Sequence, residues 1–165
     1  MKLLSAKFIG YSVIAVIFLT SCGEIRPVWK EERKLDDFTL EFQTPCEFQI
    51  ALENATEPVT VKLELAITYY VGISRTSLPL YLVIEDENHN IQEFTPDIQI
   101  KREGKWIGTK DENEVDYTIT HEAISAITFE KGTYSLKIYS NDENSEQVDG
   151  IIKISVRLFE LEPEE

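Results

Sequence analysis

The chain of 165 residues carries 16 lysines and arginines against 30 aspartates and glutamates, a net charge of −14, and so acidic a surface excludes phosphate backbones and anionic lipid headgroups as partners. The charge is unevenly spread: residues 1–21 hold two lysines and no acid, which leaves 14 basic against 30 acidic groups, or −16, on the remaining 144 residues. At 42% hydrophobic residues the chain is too apolar for intrinsic disorder, and its length fits one domain that can bury a core without disulfide staples.

The N-terminus opens with the basic stretch Met1-Lys2-Leu3-Leu4-Ser5-Ala6-Lys7 and continues as the 12-residue apolar run Phe8–Leu19. That run is shorter than the roughly 20 residues a transmembrane helix needs, and it has the basic flank of an export signal. It ends in Leu19-Thr20-Ser21-Cys22, which matches the bacterial lipobox: Leu19, Thr20 and Ser21 present a cleavage site, and the Cys22 thiol takes diacylglycerol and then an N-acyl chain such as palmitate on its new amino group. Each buried methylene contributes about 0.8 kcal/mol, so acyl chains on one residue hold a protein at its membrane. Gly23 follows the cysteine with no aspartate to retain it at the inner membrane, and Glu24 stands alone rather than in an acidic cluster. The expected location is therefore the cell envelope, at the outer membrane and facing the periplasm. Residues 1–21 read as a signal peptide and 22–35 as the lipidated cysteine with a flexible tether; 36–161 read as the folded domain and 162–165 as an acidic tail.

Within residues 23–34 (GEIRPVWKEERK) no period of two or 3.6 is visible, so Trp29 either rests at the membrane interface or packs onto the domain. From Phe38 onward apolar residues alternate with polar ones, the period of a half-buried strand. Phe38, Leu40 and Phe42 form one such face, then Phe48, Ile50 and Leu52, then Val59 to Ile67 at every second position. Leu78, Leu80, Leu82 and Ile84 follow, then Ile98 with Ile100, Val115 with Tyr117 and Ile119, Tyr134 with Leu136 and Ile138, and Ile152 with Ile154, Val156 and Leu158. Between them His121–Ala126 (HEAISA) has the spacing of one helical turn. About eight or nine strands joined by polar turns predict an all-β, antiparallel β-sandwich, immunoglobulin-like or jelly-roll-like, with a lipocalin-like barrel as the alternative.

Chemistry-bearing motifs are few. The two histidines, His89 and His121, are 32 positions apart, and no Gly-x-Ser-x-Gly, His-Glu-x-x-His, Cys-x-x-Cys or phosphate-cradling glycine loop occurs. No catalytic residue, metal ligand or cofactor beyond the lipid on Cys22 is assigned, and a non-enzymatic role is expected. Cys46 reads as a small buried hydrophobe. The tripeptide Asp-Glu-Asn recurs at 86–88, 111–113 and 142–144, but it lacks the spaced acids of a calcium loop, and hairpin turns suit it better. The aromatic residues are more informative. Trp106, bracketed by Gly104 and Gly108, and Tyr69 with Tyr70 at the end of the longest strand are the candidate binding surface for a glycan or a protein; the other reading of Trp106 is a core residue whose glycines let two chains approach.

The order of these motifs resembles the GldH-like gliding-motility lipoproteins of Bacteroidetes. In this sequence the corresponding residues are Gly104, Trp106 and Gly108, Phe129 with Gly132 and Tyr134, and Gly150-Ile151, after a lipobox. It departs from the family at the end of the long strand, where Ile67-Thr68-Tyr69-Tyr70 stands in place of the usual arginine. The resemblance implies an accessory of the envelope apparatus that drives gliding and is linked to type IX secretion, one that binds another envelope protein. A glycan- or small-ligand-binding lipoprotein is the alternative function.

Overall fold

In the computed structural model, described over residues 26–52, 55–111, 115–142 and 147–162, the alternation in the sequence becomes antiparallel strands with one face turned inward. The leader, Leu19, Thr20, Ser21 and Cys22 lie outside the described residues, as does the tail beyond Glu162. In chain order the strands are β1 (Trp29–Lys34), β2 (Thr39–Glu41), β3 (Cys46–Ala51), β4 (Val59–Tyr70), β5 (Ser77–Glu85), β6 (Ile91–Phe94), β7 (Asp97–Gln99), β8 (Lys101–Arg102), β9 (Lys105–Trp106), β10 (Thr109–Lys110), β11 (Asp116–Phe129), β12 (Thr133–Ser140), β13 (Gln147–Asp149) and β14 (Ile151–Glu160). A single 3-10 turn, Asp36–Phe38, precedes β2.

Two sheets carry the fold. One runs β1-β14-β4-β11-β10, and the other runs β3-β12-β5-β6 with β7 on the far end of β5. Val61, Leu63, Leu65, Ile67 and Tyr69 from the first sheet meet Leu78, Leu80, Leu82 and Ile84 from the second in one buried cluster, so the molecule is a β-sandwich. Both sheets end in edge strands, so the barrel alternative does not hold.

The registers define two ends. β1 starts opposite Leu158 and β11 finishes opposite Val59, while Gly132 accepts from Leu52 at 2.9 Å; these positions share the lower end. At the upper end, Asp116 faces Tyr70, Ile151 faces Tyr69, and Ile138 faces Cys46.

Three expectations are corrected. Part of the tether assigned to 22–35 is strand β1, in register with β14 from Trp29↔Leu158 to Lys34↔Lys153. Trp29 packs against the core, and the strand hides in the sequence because its other residues are charged, as suits an edge. Phe38 and Phe42 do not share the inward face of Leu40. Leu40 is buried, whereas Phe38 is 57% and Phe42 51% exposed, because the 3-10 turn and the end of β2 break the alternation on either side. His121–Ala126 is strand, not helix: β11 shifts register against β4 between Glu122 and Ile124 and again between Ile124 and Ile127, so two bulges produce the three-residue spacing that reads as a helical turn.

Candidate functional site

The hairpin β8–β9 delivers Trp106 to the upper end. Its turn residues Glu103 and Gly104 have φ of 50° and 78°, the paired positive values that a tight two-residue connection requires. Two residues after Trp106, Gly108 (φ +114°) runs so close to β11 that a Cβ would lie 2.5 Å from the Thr118 carbonyl oxygen. Trp106 is thereby pressed against the core, its ring centroid 5.9 Å from Tyr69 and 6.5 Å from Tyr117. The Lys101 ammonium lies over the indole, 4.6 Å from its centroid. Aromatic neighbours and a lysine thus cover part of the ring, and Trp106 packs as a partly exposed plug of the sandwich end.

Tyr69 faces the same interior. Its hydroxyl donates to the carbonyls of Ile100, at 3.1 Å, and Ile107, which ties the hairpin to β4. Burial pushes this phenol up to about 12. The candidate surface of Trp106, Tyr69 and Tyr70 is therefore divided: Tyr69 belongs to the core, Trp106 is partly buried and packs against it, and Tyr70 is exposed, since successive residues of a strand point to opposite faces.

Tyr70 walls an open groove of about 340 Å³ at the upper end. Its backbone N–H donates to the Gly150 carbonyl at 2.8 Å, and the Gly150 N–H donates to the Phe38 carbonyl at 2.8 Å. The Tyr70 ring lies directly over Gly72, where a Cβ would collide with it. Gly150 (φ +92°) abuts Ile73, whose Cβ a side chain there would meet at 3.2 Å. Across the groove the Asp149 Oδ1 accepts from Thr39 Oγ1 at 3.1 Å and from Gln147 Nε2 at 2.9 Å. The Arg75 guanidinium pairs with Asp142 and reaches the Gln147 carbonyl at 3.4 Å. Thr39, Arg75, Gln147 and Asp149 carry no sequence motif, and positions 75 and 147–150 meet only because β14 pairs with β4; Tyr70, Gly150 and Asp142 stood out in the sequence, each for a different reason.

The other candidates have structural employment. Burial pushes the Cys46 thiol up to about 11, which leaves it protonated and inert at neutral pH. Asp86 caps its own hairpin, accepting from the N–H groups of Asn88 and Asn90 at 2.8 Å, and the Asn90 side-chain bond leads the effects that hold its carboxyl below the usual range. Asp111 accepts from Val115 and Asp116, and Asp142 from Arg75. Among the described residues no three His, Cys, Asp or Glu converge as metal ligands. His89 is bonded to Glu85 in the lower hairpin, whereas His121 faces Leu65 midway along the other sheet.

No protein-family model and no curated protein matches the chain. Among solved structures it is similar to CBM35 from Cellvibrio japonicus Abf62, at 14% identity and a TM-score of 0.40 over 78% of this chain and 92% of that one. It is also similar to the VP2 subviral particle of infectious bursal disease virus, at 12% identity and a TM-score of 0.26, over 81% of this chain and 34% of that one. At such identities and scores neither likeness speaks to what this chain binds.

Proposed function

We propose that this protein is a lipid-anchored component of the bacterial cell envelope, a GldH-like, non-enzymatic interaction partner within the gliding-motility apparatus linked to type IX secretion. The observation that supports it is the junction of leader and fold: the lipobox ends at Cys22, and an ordered edge strand begins at Trp29. Six residues extended reach about 20 Å, so acyl chains on Cys22 hold the sandwich close over its membrane. On this reading the lipid on Cys22 is the membrane contact, the location is the periplasmic face of the outer membrane, and an envelope protein is the partner. The test is Cys22→Ala in the native host. Loss of labelled palmitate and release of the chain from the membrane fraction are expected, and affinity purification after gentle crosslinking of the unmutated protein should recover motility or secretion components. A membrane-bound Cys22→Ala chain, or crosslinked material without envelope machinery, would count against it.

A further inference from the structure

We infer that the groove beside Tyr70 is a binding site for a neutral pyranose sugar, an activity independent of the motility reading. The site is built for a ligand with one apolar face and several hydroxyls. Tyr70 offers a ring that is half exposed and braced from behind by the turn at Gly72, a rigid platform for the axial C–H face of a sugar chair. Gly72 lets the ring settle onto the turn, and Gly150 lets the start of the last strand pack against Ile73, so the platform and its surroundings are held in place. The polar wall is already ordered: among the described residues Thr39 and Gln147 both donate to Asp149 Oδ1, and Oδ2 keeps capacity to accept from a hydroxyl. Preorganised groups bind with less loss of side-chain freedom than mobile ones.

Size and charge narrow the ligand. A volume of about 340 Å³ lies near the lower bound of small-molecule sites, roughly 300–1,000 Å³, so the groove fits one or two sugar rings. Among the described residues Arg75 is the one cation lining it and pairs with Asp142, while Asp149 lines the other side on a chain of net charge −14. Uronates and phosphosugars are therefore disfavoured. Backbone strain lies one hydrogen bond from the groove: Asp37 and Phe38 both hold positive φ, 51° and 57°, in the turn whose last carbonyl accepts from Gly150. For non-glycine residues this conformation is disfavoured, and such strain collects at ligand sites.

The experiment is an NMR titration of the full chain in detergent micelles with glucose, galactose, mannose and N-acetylglucosamine, with glucuronate as the charged control. The expected result is that at least one neutral sugar moves the amide signals of Gly72 and Gly150, and that glucuronate binds more weakly. Tyr70→Ala should weaken that sugar about tenfold or more and Asp149→Asn by a similar factor, while Tyr70→Phe, which keeps the ring, stays within about twofold. Tyr70 is a surface residue, so an unchanged far-ultraviolet dichroism spectrum accompanies the alanine variant. Silence from all four neutral sugars, shifts confined to the Trp106 hairpin, glucuronate binding as tightly as the best neutral sugar, or full affinity in Tyr70→Ala would each overturn the proposal. Cys22→Ala run in the same titration should bind sugar normally, so the anchor and the groove fail or succeed separately.

Discussion

Gly108 carries more of the upper end than its size suggests. A side chain there would need both a left-handed backbone and space taken by the Thr118 carbonyl, so Gly108→Ala should lower the stability by about 3 kcal/mol, read from urea unfolding. A loss below about 1 kcal/mol would mean that the hairpin yields. Tyr69 gives a second test. Tyr69→Phe removes the donor to the Ile100 and Ile107 carbonyls and should cost about 1–3 kcal/mol at neutral pH. Its phenol is pushed from 10 up to about 12 in the fold, so the unfolded chain ionises first. The contribution is whole below pH 10 and is lost as pH rises towards about 12. Unfolding free energies measured across pH 9–12 should therefore fall more steeply in the unmutated chain than in Tyr69→Phe, and parallel curves would refute the assignment. At this scale the sequence marked Trp106 with its glycines as either core or surface, and the structure places it partly buried against the core. It could not tell Tyr69 from Tyr70, since that difference is the parity of one strand.

The longest strands were readable as elements because one wet face and one dry face impose the period of two. β4, β5, β12 and β14 stand where the alternation puts them. The misreadings share a cause, which is that a second constraint overrides the period. β1 is an edge strand with Trp29 alone as a large inward anchor, and the bulges of β11 move inward positions out of phase. Of the groove, Tyr70 was legible, but its partners Arg75, Gln147 and Asp149 were not, because pairing across more than 70 positions brings them together. The β1 assignment is testable by itself. Leu35 donates to the Ile152 carbonyl at 3.0 Å, and the two-residue repeat of an antiparallel ladder then aims the Glu31 and Arg33 N–H groups at β14. Glu31→Pro deletes one such donor and should cost at least about 1 kcal/mol. Limited proteolysis should then cut between Val28 and Lys34 in the variant and spare the unmutated strand; equal cutting in both would restore the tether reading.

For the whole molecule the acidic excess matters most. With 14 basic against 30 acidic groups on residues 22–165, few carboxylates can find a cation, and those that do lie mainly on sheet faces, as in Arg157–Glu64 at 3.5 Å and Lys153–Glu32 at 3.1 Å. Self-repulsion of the remainder is screened as the Debye length falls from about 10 Å at 0.1 M salt to about 3 Å at 1 M. The thermal midpoint should rise over that range by about 3 °C, for roughly 1 kcal/mol of relieved repulsion, and a flat or falling midpoint in calorimetry would show the charges already balanced. The placement of β1 has a mechanical consequence for a chain anchored at Cys22. The anchor would pull on the lower tip of β1, while anything gripping the upper end pulls the rest of the sandwich the other way. Because β1 runs alongside β14 from Trp29 to Lys34, that load acts along the strands and shears the whole ladder at once. Its hydrogen bonds share the force together instead of peeling one after another, so the outermost strand is also a clamp.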